Sequence, residues 1–113
     1  MRAIIKTAPE PGASFVSDFP DPEPKEDEVL IEVHAASVCG SDREFYRWGS
    51  AAKSFPMQFP RVLGHEGSGV ILEVGAAVTS LKAGDRVAID SHAPCGSCFQ
   101  CRIGNGHNCD HMR

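Results

Sequence analysis

The chain has 113 residues, of which 42% are hydrophobic and 23% charged, with a formal net charge of −4. This length and apolar content suit one folded domain and exclude a generally disordered chain. The acidic balance and scattered basic residues argue against a surface that neutralises nucleic-acid phosphates. No run has the length of a membrane span or the pattern of a secretory signal. We therefore expect a cytoplasmic protein with no nucleic-acid or membrane partner.

Short strands are predicted along most of the chain. Residues 2–6 could open a sheet, and the aliphatic run at 28–35 is a stronger strand prediction. An acidic, proline-rich loop separates them. Further strands are predicted at 69–74 and, after a Gly-Asp turn, at 86–89. Many short strands divided by Gly and Pro favour a barrel or a compact sandwich over a helical fold.

The clear helix signal follows Cys39. Ser41 and Glu44 have the spacing of a Ser-x-x-Glu capping box, and aromatic residues come directly after them. A short capped helix whose aromatic side chains pack inward would explain this segment. It would not explain Cys39, which lies at the end of an apolar strand.

Four of the five cysteines form a cluster near the end of the chain: Cys95, Cys98, Cys101 and Cys109. This spacing is typical of a tetrahedral four-thiolate zinc site. Ferredoxin clusters share the Cys-x2-Cys-x2-Cys run, but here the fourth cysteine comes later and no proline follows it. Two disulfides would suit a secreted domain, which nothing else in the sequence indicates. Zinc is the favoured interpretation.

A second candidate site combines Cys39 with the segment Gly64-His65-Glu66-Gly67. Glycines on both sides of the His-Glu pair allow the backbone to approach a ligand closely. A surface histidine in a turn is the simpler alternative. Cys39 and His65 could also form a thiol–imidazole nucleophile pair, although no third orienting group or oxyanion feature stands out.

Taken in order, these motifs resemble the N-terminal part of zinc-dependent medium-chain alcohol dehydrogenases, and the resemblance covers nearly the whole chain. The matching segments are VCGSD at 38–42, GHEGSGV at 64–70, LKAGDRV at 81–87 and the cysteine cluster. FYRW at 45–48 and SHAPC at 91–95 are closest to threonine 3-dehydrogenases and neighbouring polyol dehydrogenases. The implied fold is mainly β: a GroES-like, partly open barrel with a short helix after Cys39 and a zinc-binding cysteine lobe.

The resemblance also implies residue roles at a catalytic zinc. Cys39 and His65 would be ligands, and Glu66 would be an adjacent ligand or one that exchanges with water or substrate. Ser41 would bind the substrate oxygen and begin a proton relay. Many relatives have a histidine at the position of Glu44, so here the relay would use the Glu44 carboxylate, or Glu44 would serve only the helix cap.

At the cysteine cluster, the resemblance implies a structural zinc. Cys95, Cys98, Cys101 and Cys109 would bind it, within a lobe that spans residues 90–113. His92 matches a histidine that lies near the substrate in threonine dehydrogenases, although it could equally face water.

No Gly-x-Gly-x-x-Gly dinucleotide fingerprint is present in the sequence. We therefore expect residues 1–113 to be the truncated N-terminal part of a GroES-like catalytic domain, without a nucleotide-binding domain and inactive alone. The parent would be an oxidoreductase that uses zinc and NAD or NADP on the CH–OH group of a small-molecule alcohol, and it could be a homo-oligomer. The alternative is a stand-alone zinc-stabilised binding or scaffold module.

Overall fold

The computed structural model describes residues 1–112, which form two three-stranded antiparallel sheets with short helices between the strands. In the first sheet, β1 (Ala3–Lys6) lies between β2 (Ser14–Val16) and β4 (Arg61–Val62). β1 is the most buried of these strands, since Ala3 and Ile5 belong to the core. This small sheet therefore ties the start of the chain to the segment that precedes the His-Glu pair.

The second sheet carries the long strands. β5 (Gly67–Val74) is central, between β3 (Val29–Ala36) and β6 (Arg86–Ala88). Ile71 on β5 is 1% exposed and pairs with Ile31 on β3. A Cβ at Gly69 would lie 2.0 Å from the carbonyl oxygen of Glu32, so only glycine allows the two strands to approach this closely there.

Residues 1–112 contain three α-helices and one 3₁₀ helix, the first two between β3 and β4 and the last two after β6. They are α1 (Gly40–Arg47), α2 (Ser50–Ser54), α3 (Phe99–Arg102) and the 3₁₀ helix at Gly106–Asn108. The predicted capping box at Ser41 and Glu44 was wrong because α1 begins earlier, with Cys39 as its N-cap. The reciprocal carboxylate is that of Asp42, which accepts a hydrogen bond from the Cys39 backbone N–H at 2.9 Å.

The fold class is confirmed as mainly β and partly open, because the strands of the described residues do not close into a barrel. The four predicted strands are present, each within one or two residues of its predicted bounds. The sequence analysis missed β2, β4, α2 and the two short helices of the cysteine lobe, all of which are too short to show a hydrophobic period. The predicted lobe ends at Arg113, which lies outside the described residues.

The buried apolar core is small and centres on Ala3, Ile5, Ala52 and Ile71. Several large apolar side chains are exposed instead, among them Val38 at 77% and Phe15 and Phe99 at 69% each. In residues 1–112 no helix has the length and apolar character needed to cross a membrane. With so little apolar burial, polar contacts become important for holding the loops in place.

Lys6 is a charged residue inside this core, with 1% of its surface exposed. Its ammonium donates hydrogen bonds to the carbonyl oxygens of Glu10 and, at 2.7 Å, Gly12. It also lies 5.2 Å from the ring centroid of Trp48, the C-cap residue of α1. Gly12 in turn donates its backbone N–H to the carbonyl of Tyr46. Lys6 therefore fastens the loop after β1 to the end of α1.

We expect Lys6→Met to lower the free energy of unfolding by about 2 kcal/mol, because two carbonyls lose a charged donor while the aliphatic stem is kept. Urea denaturation measures this change. Lys82→Met is the matched control, since Lys82 is exposed. A loss no larger for Lys6→Met than for this control would contradict the role given to Lys6.

Candidate metal centres

The first centre is the cysteine lobe, where the ligand sulfurs of Cys95, Cys98, Cys101 and Cys109 all lie within 4.8 Å of one another. The short helices α3 and Gly106–Asn108 hold three of these residues at or beside their ends. Gly96 has a φ of +77°, which glycine adopts without steric cost and other residues rarely adopt. It turns the chain between the first two cysteines of the cluster. The predicted cluster is therefore assembled in space as well as in sequence.

The sulfur positions fit zinc. A tetrahedron built with Zn–S bonds of about 2.3 Å has S···S edges of about 3.8 Å. The Sγ of Cys98 lies 3.5 Å from that of Cys101 and 3.9 Å from that of Cys109. Backbone N–H groups of Cys95 and His111 donate to the Cys109 sulfur at 3.3 and 3.2 Å. Such outer hydrogen bonds stabilise a metal-binding thiolate.

The pKa values of Cys95 and Cys101 are shifted in opposite directions. Hydrogen bonding from the Ser97 backbone N–H, supported by its hydroxyl, lowers the pKa of Cys95 to about 5. Desolvation, followed by the neighbouring Cys98 thiol, raises the pKa of Cys101 to about 12. Because metal binds the thiolate form, binding to this lobe would release protons from its thiols.

The second centre contains Cys39, His65 and Glu66, whose ligand atoms also lie within 4.8 Å of one another. The sheet explains how distant parts of the chain meet there. β3 and β5 are antiparallel, and Ala36 pairs with Gly67 at the end of their ladder. The segment that leaves β3 toward Cys39 and the segment that enters β5 from His65 are consequently neighbours.

Asp42 is the residue of this centre that the sequence analysis passed over. Its carboxylate is 12% exposed, and its Oδ1 lies 3.6 Å from Nδ1 of His65. Nε2, on the other side of the ring, lies 3.4 Å from Oγ of Ser41. A carboxylate beside one ring nitrogen is the usual partner that orients an imidazole whose other nitrogen binds metal. The signal in the sequence was an acidic residue three positions after Cys39, the spacing of a capping box. The prediction instead placed the N-cap at Ser41 and gave the carboxylate role to Glu44.

Glu66 is held by two neighbours on the segment after β3. Ser37 donates a hydrogen bond from Oγ to Oε2 of Glu66 at 2.5 Å. This bond is the main cause that lowers the pKa of Glu66, and the thiol of Cys39 lowers it further. Glu66 is thus an ionised carboxylate beside the thiol and the imidazole. Sulfur, nitrogen and oxygen donors together are the set that zinc uses in open sites.

Ser41 also lies at this centre, since its Oγ is 3.4 Å from Nε2 of His65. Glu44 lies away from this centre, because its carboxylate is next to Gly49 at the other end of α1. His92 contacts Asp90, which accepts hydrogen bonds from the His92 backbone N–H and from Nδ1, each at 2.9 Å. The structure thus places Ser41 beside the predicted ligands and gives Glu44 and His92 other contacts.

Residues 25–113 match the family described as the alcohol dehydrogenase GroES-like domain. The chain belongs to this family. It is 42% identical over 113 residues to L-threonine 3-dehydrogenase of Bacillus velezensis, covering 100% of this chain and 32% of that protein. The domain therefore spans about a third of the length of the curated relatives that it matches.

Solved structures of alcohol dehydrogenases share the fold of this GroES-like domain. An NAD-dependent alcohol dehydrogenase superposes with a TM-score of 0.85 at 32% identity, over 100% of this chain and 32% of that one. Zinc-dependent alcohol dehydrogenase 2 from Streptococcus pneumoniae gives a TM-score of 0.82 at 32% identity, over 99% and 31%. The predicted family is confirmed, and so is the predicted resemblance of this chain to threonine dehydrogenases.

We expect Cys98→Ser to loosen the lobe and spare the strands, because it removes one of four thiolates while the sheets have their own hydrogen bonds. Zinc content and limited proteolysis measure the effect, with cleavage expected within residues 90–113. Phe99→Ser, at an exposed neighbour, is the matched control. Unchanged zinc content and unchanged proteolytic resistance in Cys98→Ser would contradict the four-thiolate site.

Proposed function

We propose that residues 1–113 form the N-terminal part of a GroES-like catalytic domain in a zinc-dependent dehydrogenase, with residues 90–113 as its structural zinc lobe. The parent enzyme would oxidise the CH–OH group of a small alcohol with NAD or NADP. The observation that carries this proposal is the second centre, where Cys39 meets His65 and Glu66 with their ligand atoms within 4.8 Å. A four-thiolate lobe alone would support only a structural role.

In this proposal the two centres have different tasks. Cys95, Cys98, Cys101 and Cys109 close a coordination shell with protein sulfur, as structural zinc sites do. Cys39, His65 and Glu66 leave a position free for a substrate oxygen. When bound there, zinc would supply Lewis-acid character that lowers the pKa of an alcohol hydroxyl.

Ser41 is the residue best placed to handle the substrate proton. Its hydroxyl lies 3.4 Å from Nε2 of His65, so it borders the position that a ligand on this nitrogen would occupy. A hydroxyl can accept a proton from one side while it donates to the other. Because Glu44 lies over Gly49, a relay from Ser41 would continue through solvent rather than through Glu44.

The nicotinamide would be held outside these residues. The sequence has no Gly-x-Gly-x-x-Gly fingerprint, and the relatives whose names mention dehydrogenase activity are about three times as long. The relatives named L-threonine 3-dehydrogenase favour an amino alcohol or polyol as the substrate of the parent. Homo-oligomer formation is part of the same proposal, as is the absence of a nucleic-acid or membrane partner.

The purified chain is expected to retain about one zinc, in the cysteine lobe. Structural zinc sites in zinc-finger peptides bind Zn²⁺ with apparent free energies of about 10–16 kcal/mol. The second centre offers three ligands, two of them adjacent in sequence, and is expected to hold metal weakly. Elemental analysis after gel filtration should therefore give nearly the same zinc content for Cys39→Ser as for the unchanged chain.

Two tightly held zinc ions, one of them lost in Cys39→Ser, would contradict the expected weak occupancy and show a complete second site. No binding of divalent metal at Cys39, His65 and Glu66, even at high metal concentration, would favour the alternative of a zinc-stabilised scaffold module.

The isolated chain is also expected to lack dehydrogenase activity, because hydride transfer requires a positioned nicotinamide. The assay follows NADH or NADPH formation with threonine, simple alcohols and polyols as substrates. A full-length L-threonine 3-dehydrogenase serves as the positive control. Alcohol-dependent reduction of NAD or NADP by the isolated chain would contradict the proposal that the nicotinamide is held outside these residues.

A further inference from the structure

Ser37 and Glu66 face each other across the end of the long sheet. The β3–β5 ladder ends with Ala36 opposite Gly67, and the backbone N–H of Ser37 donates to the carbonyl of Glu66 at 3.2 Å just beyond it. The two residues therefore add one more rung to the ladder. Their relative position is fixed by the backbone before any side chain contributes.

The side chains repeat this pairing. Ser37 Oγ donates to Oε2 of Glu66 at 2.5 Å. Alternate residues of an extended segment point to the same side, so Ser37 and Cys39 share one side while Val38, 77% exposed, points away. The carboxylate of Glu66 consequently meets a hydroxyl and a thiol from one short stretch of chain.

A glutamate in this position needs such an anchor. Its side chain has three rotatable bonds, and Glu66 is only partly buried, between glycines at 64 and 67. Without a second contact it would sample many rotamers, and fixing one of them opposes metal binding. The bond from Ser37 is made to Oε2 and so fixes the orientation of the whole carboxylate.

We propose that Ser37 is a positioning residue that holds the Glu66 carboxylate at ligand distance from Cys39 and His65. This inference rests on the metal centre of the proposed function and adds a residue that makes no contact with metal or substrate itself. Ser37 acts by preorganising the third ligand. Its removal therefore weakens metal binding at this centre and leaves the cysteine lobe unchanged.

The probe is Co²⁺, titrated into the 113-residue chain after its cysteine lobe has been filled with Zn²⁺. Binding at Cys39 is read from the thiolate-to-cobalt absorption band, so the readout does not depend on activity. Ser37→Ala is expected to lower Co²⁺ affinity about tenfold, the lower end for loss of an outer-shell partner, because the bond is exposed. Ser37→Thr keeps the hydroxyl and is expected to retain most of the affinity.

Ser68→Ala is the matched control, since Ser68 lies on β5 just past Gly67 and belongs to neither centre. Lobe zinc content and far-ultraviolet circular dichroism verify folding in every variant. The decisive comparison repeats Ser37→Ala in a Glu66→Ala background. If Ser37 acts through Glu66, its substitution causes no further loss of Co²⁺ affinity there.

Equal or tighter Co²⁺ binding by Ser37→Ala would overturn the proposal, because Ser37 would then be neutral or would hold Glu66 away from the metal. An equal loss in the Glu66→Ala background would also overturn it and assign Ser37 a general structural role. Absence of the thiolate-to-cobalt band in the unchanged chain would refute the metal centre and the proposed function along with it. Failure of the inference alone is thus distinguishable, since the unchanged chain would still bind.

Discussion

The antiparallel pairing of β3 with β5 is the constraint on which the second metal centre depends. The ladder ends with Ala36 opposite Gly67, so the segments that carry Cys39 and His65 leave the sheet side by side. Gly69 permits the two strands to approach, because any side chain there would collide with the backbone of Glu32. A shift of one residue in this register would turn the candidate ligands to opposite faces.

Helix α1 adds the second element of the centre. Its N-cap is Cys39, and its first turn carries Ser41 and Asp42, which contact opposite nitrogens of the His65 ring. At its other end, Trp48 lies near the buried ammonium of Lys6. Helix α1 therefore contacts Lys6 at one end and His65 at the other, although these two residues are far apart in sequence.

The two centres differ in a way that matches their proposed tasks. In the lobe, four sulfurs lie together and backbone N–H groups donate hydrogen bonds to one of them, so that protein ligands alone would complete a tetrahedral shell around one metal ion. Cys39, His65 and Glu66 form a mixed and partly exposed set. Closed thiolate shells favour permanent structural zinc, whereas an incomplete mixed shell permits exchange with an oxygen ligand.

The sequence by itself determined the long strands, the helix after Cys39 and the four-cysteine cluster, because aliphatic runs and cysteine spacing are local signals. The order of its motifs also indicated the family, and the resemblance to that family supplied the second set of candidate ligands. The tertiary structure alone decided that Asp42 rather than Glu44 faces the N-terminus of α1, and that Glu44 lies over Gly49. It also revealed the contacts of Ser37 and Lys6. The Ser37–Glu66 bond and the contact of Lys6 with Trp48 depend on strand register and on a close approach of segments distant in sequence, which no local pattern encodes.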